Sequence, residues 1–273
     1  MVNEKIKMMN NKIGIIGLGN IGYSLASGLL LNESETNVSA FDHNSYNYNR
    51  AKSSIKKLVL KDNISEVIIS ANIIFICIRT NQITDFLKTN AKLFTQDKII
   101  VFLSAGIKLD EIKVLLNEAD GSYFRAITNV NIISKNGYTI LLKNGKEREE
   151  KMVSEVLELV GVVEGVETEE KLDILSLITG CTPAIIALFF ESLIESSINL
   201  GISKIQAKEM LKKVVFQTVG TINDNNMNSR ELIQSVCTPG GLVVKHLAEL
   251  ENETDFKEDI VNWLPKILRN LQN

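Results

Sequence analysis

Cysteine and histidine are scarce in this sequence, which has three cysteines and two histidines in 273 residues. Cys77, Cys181 and Cys237 are far apart and form no CxxC pair, and His43 and His246 are also far apart. Structural zinc sites need such ligands clustered at short spacings, so no metal is expected. An odd number of separated cysteines is typical of a reducing compartment, and the predicted localisation is cytoplasmic.

Basic clusters and long apolar runs are missing as well. Lysine and arginine form no run in a chain whose net charge is −3, so no nucleic-acid partner is expected. Residues 1–12 are polar and lack the apolar core of a secretory signal. The longest uncharged run, Ile174–Phe190, has 17 residues and contains Gly180, Thr182 and Pro183. It is short for a membrane span, so a break between buried helices is predicted there, and no membrane partner.

A glycine-rich motif lies between a short apolar strand and a helical pattern. Residues 13–22 read Ile-Gly-Ile-Ile-Gly-Leu-Gly-Asn-Ile-Gly, with Gly17, Gly19 and Gly22 at the spacing of a dinucleotide-binding fingerprint. The first glycine permits a tight turn, the second lets a pyrophosphate approach the backbone, and the third lets helix and strand pack closely. A glycine-rich turn in an unrelated α/β protein is the alternative.

The residues around this motif extend the predicted cofactor site. Asn20 and Ile21 begin the helix, whose N-terminus would face the phosphates. Asp42 ends the second predicted strand, twenty residues beyond the last glycine of the motif, where a ribose-binding carboxylate is expected. His43 and Asn44 follow it, rather than an arginine that would hold a 2′-phosphate. The predicted cofactor is therefore NAD or NADP, with NAD favoured.

Strand and helix patterns alternate in the first part of the chain. Near-continuous runs of Ile, Val and Phe are typical of strands buried on both faces, which indicates a parallel sheet. The predicted strands are Lys12–Gly17, Val38–Phe41, Ile73–Ile78, Ile99–Leu103, Tyr123–Ile127 and Tyr138–Leu142. The predicted helices between them are Tyr23–Leu31, Ile64–Ser70, Asn81–Phe94 and Leu109–Asn117.

From Thr168 onward no strand pattern is found, and amphipathic periodicity predicts helices instead. They are Glu169–Ile178, Ala184–Leu200, Lys204–Asn223, Leu242–Leu250 and Lys257–Leu271. Gly201 is expected to end one helix and Ser203 to cap the next. The predicted fold class is α/β: an N-terminal Rossmann dinucleotide-binding domain over residues 1–165, followed by an all-helical C-terminal domain over residues 166–273.

Two of these helices, Ala184–Leu200 and Lys204–Asn223, carry few charges on their inner turns. A helix that is apolar nearly all round needs more burial than a small bundle provides. We therefore expect dimerisation through the helical domain, giving a homodimer or a higher assembly of dimers. A compact monomeric bundle is the alternative.

Small and polar residues follow two predicted strands at the carboxyl edge of the sheet, where α/β folds bind ligands. They are Arg79, Thr80, Ser104, Ala105 and Gly106, and Ile78, the last residue of the first of these strands, is a cofactor candidate beside them. Small side chains there would admit a nicotinamide ring or its ribose. Asn63, which precedes a short helix, is a further candidate for the cofactor, with a plain helix N-cap as the alternative.

Two segments of the helical part combine turn-forming and polar residues. In 179–184, Thr-Gly-Cys-Thr-Pro-Ala, Gly180 suits a helix C-cap and Pro183 the first turn of the next helix, so a simple helix–helix corner is the plain interpretation. In 238–241, Thr-Pro-Gly-Gly, two glycines expose N–H groups at a helix start, which is a general anion site. An ordinary helix start is the alternative.

Six pieces of the sequence, in this order, resemble motifs of the pyrroline-5-carboxylate reductase family. They are Gly17–Gly22, Ile78–Asn81, Ser104–Gly106, Arg125–Asn131, Thr179–Ala184 and Thr238–Val243. The resemblance extends from Lys12 to about Glu251. It implies nicotinamide-dependent reduction of the C=N bond of a small cyclic imine, by default pyrroline-5-carboxylate to proline. Such a reaction needs orientation and electrostatics more than a strong base.

The resemblance also implies roles for individual residues. The imine would be bound by Thr179, Cys181, Thr182 and Asn129. The substrate carboxylate would be bound by the turn of a partner subunit that contains Thr238, Gly240, Gly241, Leu242 and Val243.

The chain departs from the family pattern at the carboxylate turn. The family has a threonine hydroxyl after Pro-Gly-Gly, whereas Leu242 and Val243 offer only backbone N–H groups. Losing such a hydrogen bond costs about 1.5–3 kcal/mol, or about ten- to hundredfold in affinity. The prolines around Asn129 are also replaced. The sequence therefore indicates a divergent member, and a non-catalytic nucleotide-binding paralogue with a regulatory or interaction role is the second hypothesis.

Overall fold

A computed structural model describes residues 12–31, 36–116, 121–224 and 227–272. The predicted absence of a secretory signal concerns a segment that, except for Lys12, lies outside the described residues. The predicted helix end at Asn117 also lies outside them. The chain forms two compact units, Met1–Gly180 and Cys181–Asn273.

The first unit is built on an eight-stranded sheet with the order β3-β2-β1-β4-β5-β6-β7-β8. The strands are β1 (Lys12–Ile16), β2 (Asn37–Phe41), β3 (Val59–Leu60), β4 (Ile73–Ile76), β5 (Ile99–Phe102), β6 (Ser122–Ile127), β7 (Gly137–Leu142) and β8 (Gly161–Val166). Neighbouring strands are parallel except β6 and β7. The order reverses at β1, as it does in a Rossmann fold, so the predicted fold class is confirmed.

All six predicted strands are present, and two strands were missed. β3 has only two residues, too few to show a pattern. β8 is an edge strand whose sequence contains two glycines and Glu164, so it lacks the apolar run of a strand buried on both faces.

Helices cover both faces of this sheet. They are α1 (Asn20–Leu29), α2 (Ser45–Ser54), α3 (Ile64–Ser70), α4 (Thr80–Asn90), α5 (Leu109–Leu115) and α6 (Glu147–Glu158), with 3₁₀ turns at Ala91–Leu93 and Val130–Ser134. Because side chains alternate along a strand, Ile13 and Ile15 pack into one apolar core and Ile16 into the other. The two cores fix the strand ends from which the ligand-binding loops leave.

The helical part contains α7 (Glu169–Asn199), α8 (Lys204–Asp224), α9 (Ser229–Val236), α10 (Leu242–Asn252) and α11 (Phe256–Gln272). Gly201 follows the end of α7 and has φ +86°, as predicted for a residue that ends a helix. Ser203 caps the next helix, as predicted, because its Oγ accepts from the N–H of Gln206 at 3.3 Å. The described residues between 181 and 272 include no strand. The last strand ends at Val166, beside the predicted domain boundary, whereas the compact units divide inside α7.

Large apolar side chains are exposed on the second unit when a single chain is considered. Leu200 is 82% exposed, Ile205 80% and Phe216 79%. By length and composition α7 is apolar enough to cross a membrane, since its most apolar window has a mean hydropathy of 1.9 and is 11% buried. Such a surface needs a partner that removes it from water.

Candidate functional site

The glycine loop between β1 and α1 has the geometry that its three glycines require. Gly17 has φ +94°, and a Cβ there would lie 2.7 Å from the carbonyl oxygen of Cys77. A Cβ at Gly22 would lie 1.9 Å from the carbonyl oxygen of Gly17, so no side chain fits between helix and strand. Around Gly19, by contrast, no atom lies within 4 Å of the Cβ position. The loop thus leaves an open space at the middle glycine, where a pyrophosphate fits.

The N-terminus of α1 faces this open space. Gly19 is its N-cap and has no side chain to bind the first N–H groups, and its first turn has no acidic residue. The N–H groups of Asn20, Ile21 and Gly22 therefore have no partner within the helix. Together with the helix dipole they form an anion-binding site.

Asp42 supports the glycine loop directly. Its Oδ2 accepts hydrogen bonds from the N–H of Leu18 at 2.7 Å and from Nδ2 of Asn47 at 3.0 Å, and its Oδ1 accepts from the N–H of Asn44 at 2.7 Å. The carboxylate therefore orders the loop, and its predicted role as a ribose ligand stays a prediction. Protein donors already use most of its acceptor capacity, and Oδ1 has room for one more hydrogen bond.

A groove beside Asp42 extends the site along the sheet edge. It is lined by Gly17 and Asp42 from the first two strands, by Ile64 on α3, by Ile78 after β4 and by Phe86 on α4. This mostly apolar groove at the switch in strand order is where the fold binds an adenosine.

Asn63 has a structural role in the first unit. Its Oδ1 accepts from the N–H of Glu66 at 3.0 Å, and its Nδ2 donates to the carboxylate of Glu66 at 2.9 Å. The side chain is the N-cap of α3. The structure thus shows the N-cap role that the sequence offered as the alternative, and the predicted contact of Asn63 with the cofactor stays a prediction.

The predicted residues after β4 and β5 are brought together. The hydroxyl of Thr80 donates to the carbonyl of Ala105, and the hydroxyl of Ser104 donates to the carbonyl of Ile78 at 2.8 Å. Gly106 has φ +79° and completes the turn. Arg79 is exposed at the N-cap of α4. These contacts hold two adjacent loops side by side at the carboxyl edge.

Cys77 lies directly under the glycine loop. Its N–H donates to the carbonyl of Ile16 at 2.8 Å, and its side chain packs against the apolar core. Burial raises the pKa of the thiol to about 12, so it stays protonated at neutral pH. It packs beneath the loop, and a protonated thiol is a poor nucleophile.

The predicted helix corner at 179–184 is wrong, because α7 is continuous from Glu169 to Asn199 with Pro183 inside it. Proline has no N–H for the carbonyl four residues earlier, which here belongs to Thr179. That carbonyl accepts a hydrogen bond from Nδ2 of Asn129 at 3.1 Å. The hydroxyl of Thr179 donates to the carbonyl of Leu175 at 3.1 Å.

Asn129 therefore supports the helix through its side-chain amide. Its Oδ1 accepts from the N–H of Asn131 at 3.2 Å, and the whole residue is buried. Cys181 and Thr182 follow Thr179 on the helix and are half-buried.

A buried ion cluster, which sequence reasoning did not predict, fixes the start of α7. Arg125 on β6 is 1% exposed and pairs with Glu169 and, at 3.3 Å, with Asp173. Glu169 also accepts from the N–H of Leu109 at the start of α5 at 2.8 Å. Burial lowers the pKa of Arg125, and the charges of Asp173 and Glu111 oppose that shift. The sequence signal for this cluster is the spacing of Glu169 and Asp173, one helical turn apart. Such acidic pairs are common on any exposed helix, so the signal is not specific.

In the second unit, the Thr238–Gly241 turn leads into α10. Gly240 has φ +76°, and the N–H of Gly241 donates to the carbonyl of Thr238 at 2.9 Å. Gly241 is the N-cap and provides no side-chain cap. Leu242 and Val243, in the first turn, are 77% and 51% exposed. This helix start has no side-chain cap, so its first N–H groups have no partner within the helix, and the anion site stays a prediction.

Within the parts of the chain that the structure describes, no group of three His, Cys, Asp or Glu residues could hold a metal ion.

Family models match both parts of the chain. The model described as "NADP oxidoreductase coenzyme F420-dependent" matches residues 12–106, and the model described as "Pyrroline-5-carboxylate reductase dimerisation" matches residues 169–270. Fold, glycine loop and these matches define a nicotinamide-dependent oxidoreductase with a helical dimerisation domain.

Curated relatives and solved structures agree with this class. The chain is similar to pyrroline-5-carboxylate reductase of Aquifex aeolicus, at 23% identity over 94% of this chain and 95% of that protein. It is similar to that of Escherichia coli, at 24% identity over 95% and 97%. These relatives, all named as pyrroline-5-carboxylate reductases, are similar to this chain over nearly its whole length.

Two solved structures share the fold. The pyrroline carboxylate reductase of Plasmodium falciparum with NADP bound superposes with a TM-score of 0.84 at 21% identity, covering 97% of this chain and 98% of that one. The enzyme of Streptococcus pyogenes gives a TM-score of 0.81 at 20% identity, covering 96% and 98%.

Proposed function

We propose that this protein reduces pyrroline-5-carboxylate to proline with a nicotinamide dinucleotide as reductant. The observation that carries the proposal is the open glycine loop of a Rossmann unit, joined in one chain to a region that matches the dimerisation domain of this reductase family over residues 169–270. The relatives named above as pyrroline-5-carboxylate reductases cover nearly the whole chain.

The first unit would bind the dinucleotide. The N–H groups at Asn20 and Ile21 receive the pyrophosphate, and the groove at Ile78 receives the adenosine. The loops at Thr80 and Ala105 would place the nicotinamide end at the carboxyl edge of the sheet. When bound, the cofactor supplies the hydride.

The residues of α7 would orient the imine. Asn129 acts through the carbonyl of Thr179 and fixes this part of the helix, so its role is positioning. Cys181 and Thr182 are the half-buried side chains that follow. We assign to the hydroxyl of Thr182, or to water, the proton that the ring nitrogen gains. No strong base is required for this step.

The turn Thr238–Gly241 would bind the substrate carboxylate. It offers backbone N–H groups of Leu242 and Val243 at a helix N-terminus without a side-chain cap, which favours a negative charge. A partner subunit would supply this turn.

A second copy of the chain would cover the apolar surface of the helical unit. The match to a dimerisation domain covers α7 and the exposed Leu200, Ile205 and Phe216, so we assign this surface to a homodimer, or to an assembly of dimers, and not to a membrane. The three cysteines are free thiols, which supports a cytoplasmic location.

We also propose a preference for NADH over NADPH. One support is the negative charge of Asp42 beside the groove. The two residues that follow are His43 and Asn44, so neither lysine nor arginine is present there to bind a 2′-phosphate. A 2′-phosphate would meet this carboxylate at short range, and like charges repel there.

The test is a spectrophotometric assay with pyrroline-5-carboxylate and either NADH or NADPH, following cofactor absorbance. Turnover with proline as the product supports the proposal. Binding of a cofactor without turnover on this or related cyclic imines would instead identify a non-catalytic paralogue. Binding of neither cofactor would overturn the proposal entirely.

A further inference from the structure

Arg50 on α2 reaches back to the glycine loop. Its Nη2 donates to the carbonyl of Leu18 at 3.0 Å and to that of Gly19 at 3.5 Å. Its guanidinium carbon lies 4.0 Å from the centroid of the Tyr23 ring on α1, a cation–π contact. Arg50 thus connects three elements around the middle glycine, although it lies 31 residues after Gly19.

Both backbone polar groups of Leu18 are hydrogen-bonded, and they belong to successive peptide groups. Asp42 accepts its N–H at 2.7 Å, and Arg50 donates to its carbonyl. In a trans peptide the carbonyl of one residue and the N–H of the next point in opposite directions. Binding the carbonyls of Leu18 and Gly19 on one side therefore turns the N–H groups of Gly19 and Asn20 to the other side.

Arg50 maintains this contact at a cost. Its Nε is buried and has no hydrogen-bond partner among the described residues, and an unpaired buried donor is unfavourable. The arrangement orients backbone donors before any ligand arrives, and such preorganisation raises affinity by reducing the ordering that binding requires.

We propose that Arg50 is a positioning residue of the dinucleotide site, holding the glycine loop so that its N–H groups face the cofactor pyrophosphate. The guanidinium also adds a positive charge behind the loop. This inference rests on the proposed function only in that the site binds a nicotinamide dinucleotide. Since the pyrophosphate is common to NADH and NADPH, Arg50 acts on both cofactors alike.

The test compares dissociation constants for NADH and NADPH, measured by titration calorimetry, in wild type, Arg50→Gln, Arg50→Lys and the control Lys52→Gln. The control removes an exposed positive charge from the same helix. We expect Arg50→Gln to raise both Kd values about tenfold. Arg50→Lys, which keeps the charge but loses the planar stacking, should give intermediate values, and the control should match wild type.

A second measurement separates positioning from general damage. At saturating cofactor the KM for pyrroline-5-carboxylate should be unchanged in Arg50→Lys, since the imine site proposed above does not include the loop. A Kd unchanged in Arg50→Gln overturns the inference, and so does a rise confined to NADPH, which would mean that Arg50 reads the 2′-phosphate. If the wild type binds a cofactor but the Arg50 variants do not show the expected changes in Kd, only the inference about Arg50 is wrong and the proposed function stands. If wild type binds neither cofactor, both are wrong.

Discussion

The side-chain amide of Asn129 donates a hydrogen bond to the carbonyl of Thr179 at 3.1 Å. That carbonyl is the one for which Pro183 can provide no N–H, because proline lacks it. A proline inside a 31-residue helix is therefore compensated by a residue 54 positions earlier in the chain. The hydrogen bond from Asn129 thus replaces the one that Pro183 cannot make, and it holds α7 against the loop after β6.

A double-mutant cycle tests this compensation. Asn129→Ala should lower the free energy of unfolding by about 1–3 kcal/mol, because the carbonyl of Thr179 loses its donor. In a Pro183→Ala background the same change should cost clearly less, because the substituted alanine has the helical N–H that proline lacks. Urea unfolding at one fixed protein concentration measures both effects. Equal costs in the two backgrounds would mean that the residues act independently.

This pair also explains where sequence reasoning failed. Gly180 and Pro183 predict a break when only neighbouring residues are considered, since each destabilises a helix interior. The donor that repairs the helix comes from a distant strand end, and no local pattern encodes it. Strands β1, β2 and β4 could be predicted because their apolar runs reflect burial on both faces.

The cofactor site shows the same division. The spacing of Gly17, Gly19 and Gly22 was sufficient to predict the loop, because each glycine answers a local steric demand. The role of Arg50 was not predicted, since it depends on a helix packing next to that loop. For Asn63 the sequence left two roles open, because a capping side chain and a ligand-binding one look identical in sequence, and the structure shows the capping role.

Arg125 provides a second test of how α7 is held. Arg125→Met should destabilise the protein by about 2–3 kcal/mol, because Glu169 and Asp173 then lose a buried cation. The value lies below that for a fully buried pair, as both carboxylates are partly exposed. Lys151→Met, which removes an exposed ion pair with Glu155, serves as a control and should cost at most about 0.5 kcal/mol. Equal effects would show that the buried cluster has no special role.

Because of Cys77, the free energy of unfolding should depend on pH in the alkaline range. The thiol ionises at about 9.0 when exposed, and burial raises its pKa to about 12. At neutral pH it is protonated in both states. As the pH rises through 9.0 towards 12, the unfolded chain loses the proton and the folded chain keeps it, so stability falls by at most about 1.4 kcal/mol per pH unit.

The measurement for Cys77 compares wild type with Cys77→Ala in urea unfolding between about pH 7.5 and 10, a window chosen to cross the ordinary thiol pKa. The wild type should lose more stability over this range than the variant. Iodoacetamide should leave Cys77 unmodified in the folded protein. Rapid alkylation of Cys77, or parallel pH profiles, would contradict the raised pKa of this thiol.

The effect of the Asp42 charge on cofactor preference can be tested by a substitution that keeps the hydrogen bond to the glycine loop. Asp42→Asn retains an oxygen for the N–H of Leu18 but removes the negative charge, so the ratio of kcat/KM for NADH to that for NADPH should fall about tenfold. Asp42→Ala also removes the contact to Leu18 and should weaken both cofactors. An unchanged ratio in Asp42→Asn would exclude this charge as the source of preference.

A substitution at Val243 tests how the chain binds a substrate carboxylate without the family's threonine hydroxyl. It lies in the first turn of α10 and is 51% exposed, so a hydroxyl fits without repacking. Val243→Thr should lower the KM for pyrroline-5-carboxylate about five- to tenfold, with kcat little changed if ground and transition states share the contact. Val244→Thr, one position further along the helix, is the matched control and should leave KM unchanged. A higher KM in Val243→Thr would mean that this turn binds an apolar group, and pyrroline-5-carboxylate would then no longer be the favoured substrate.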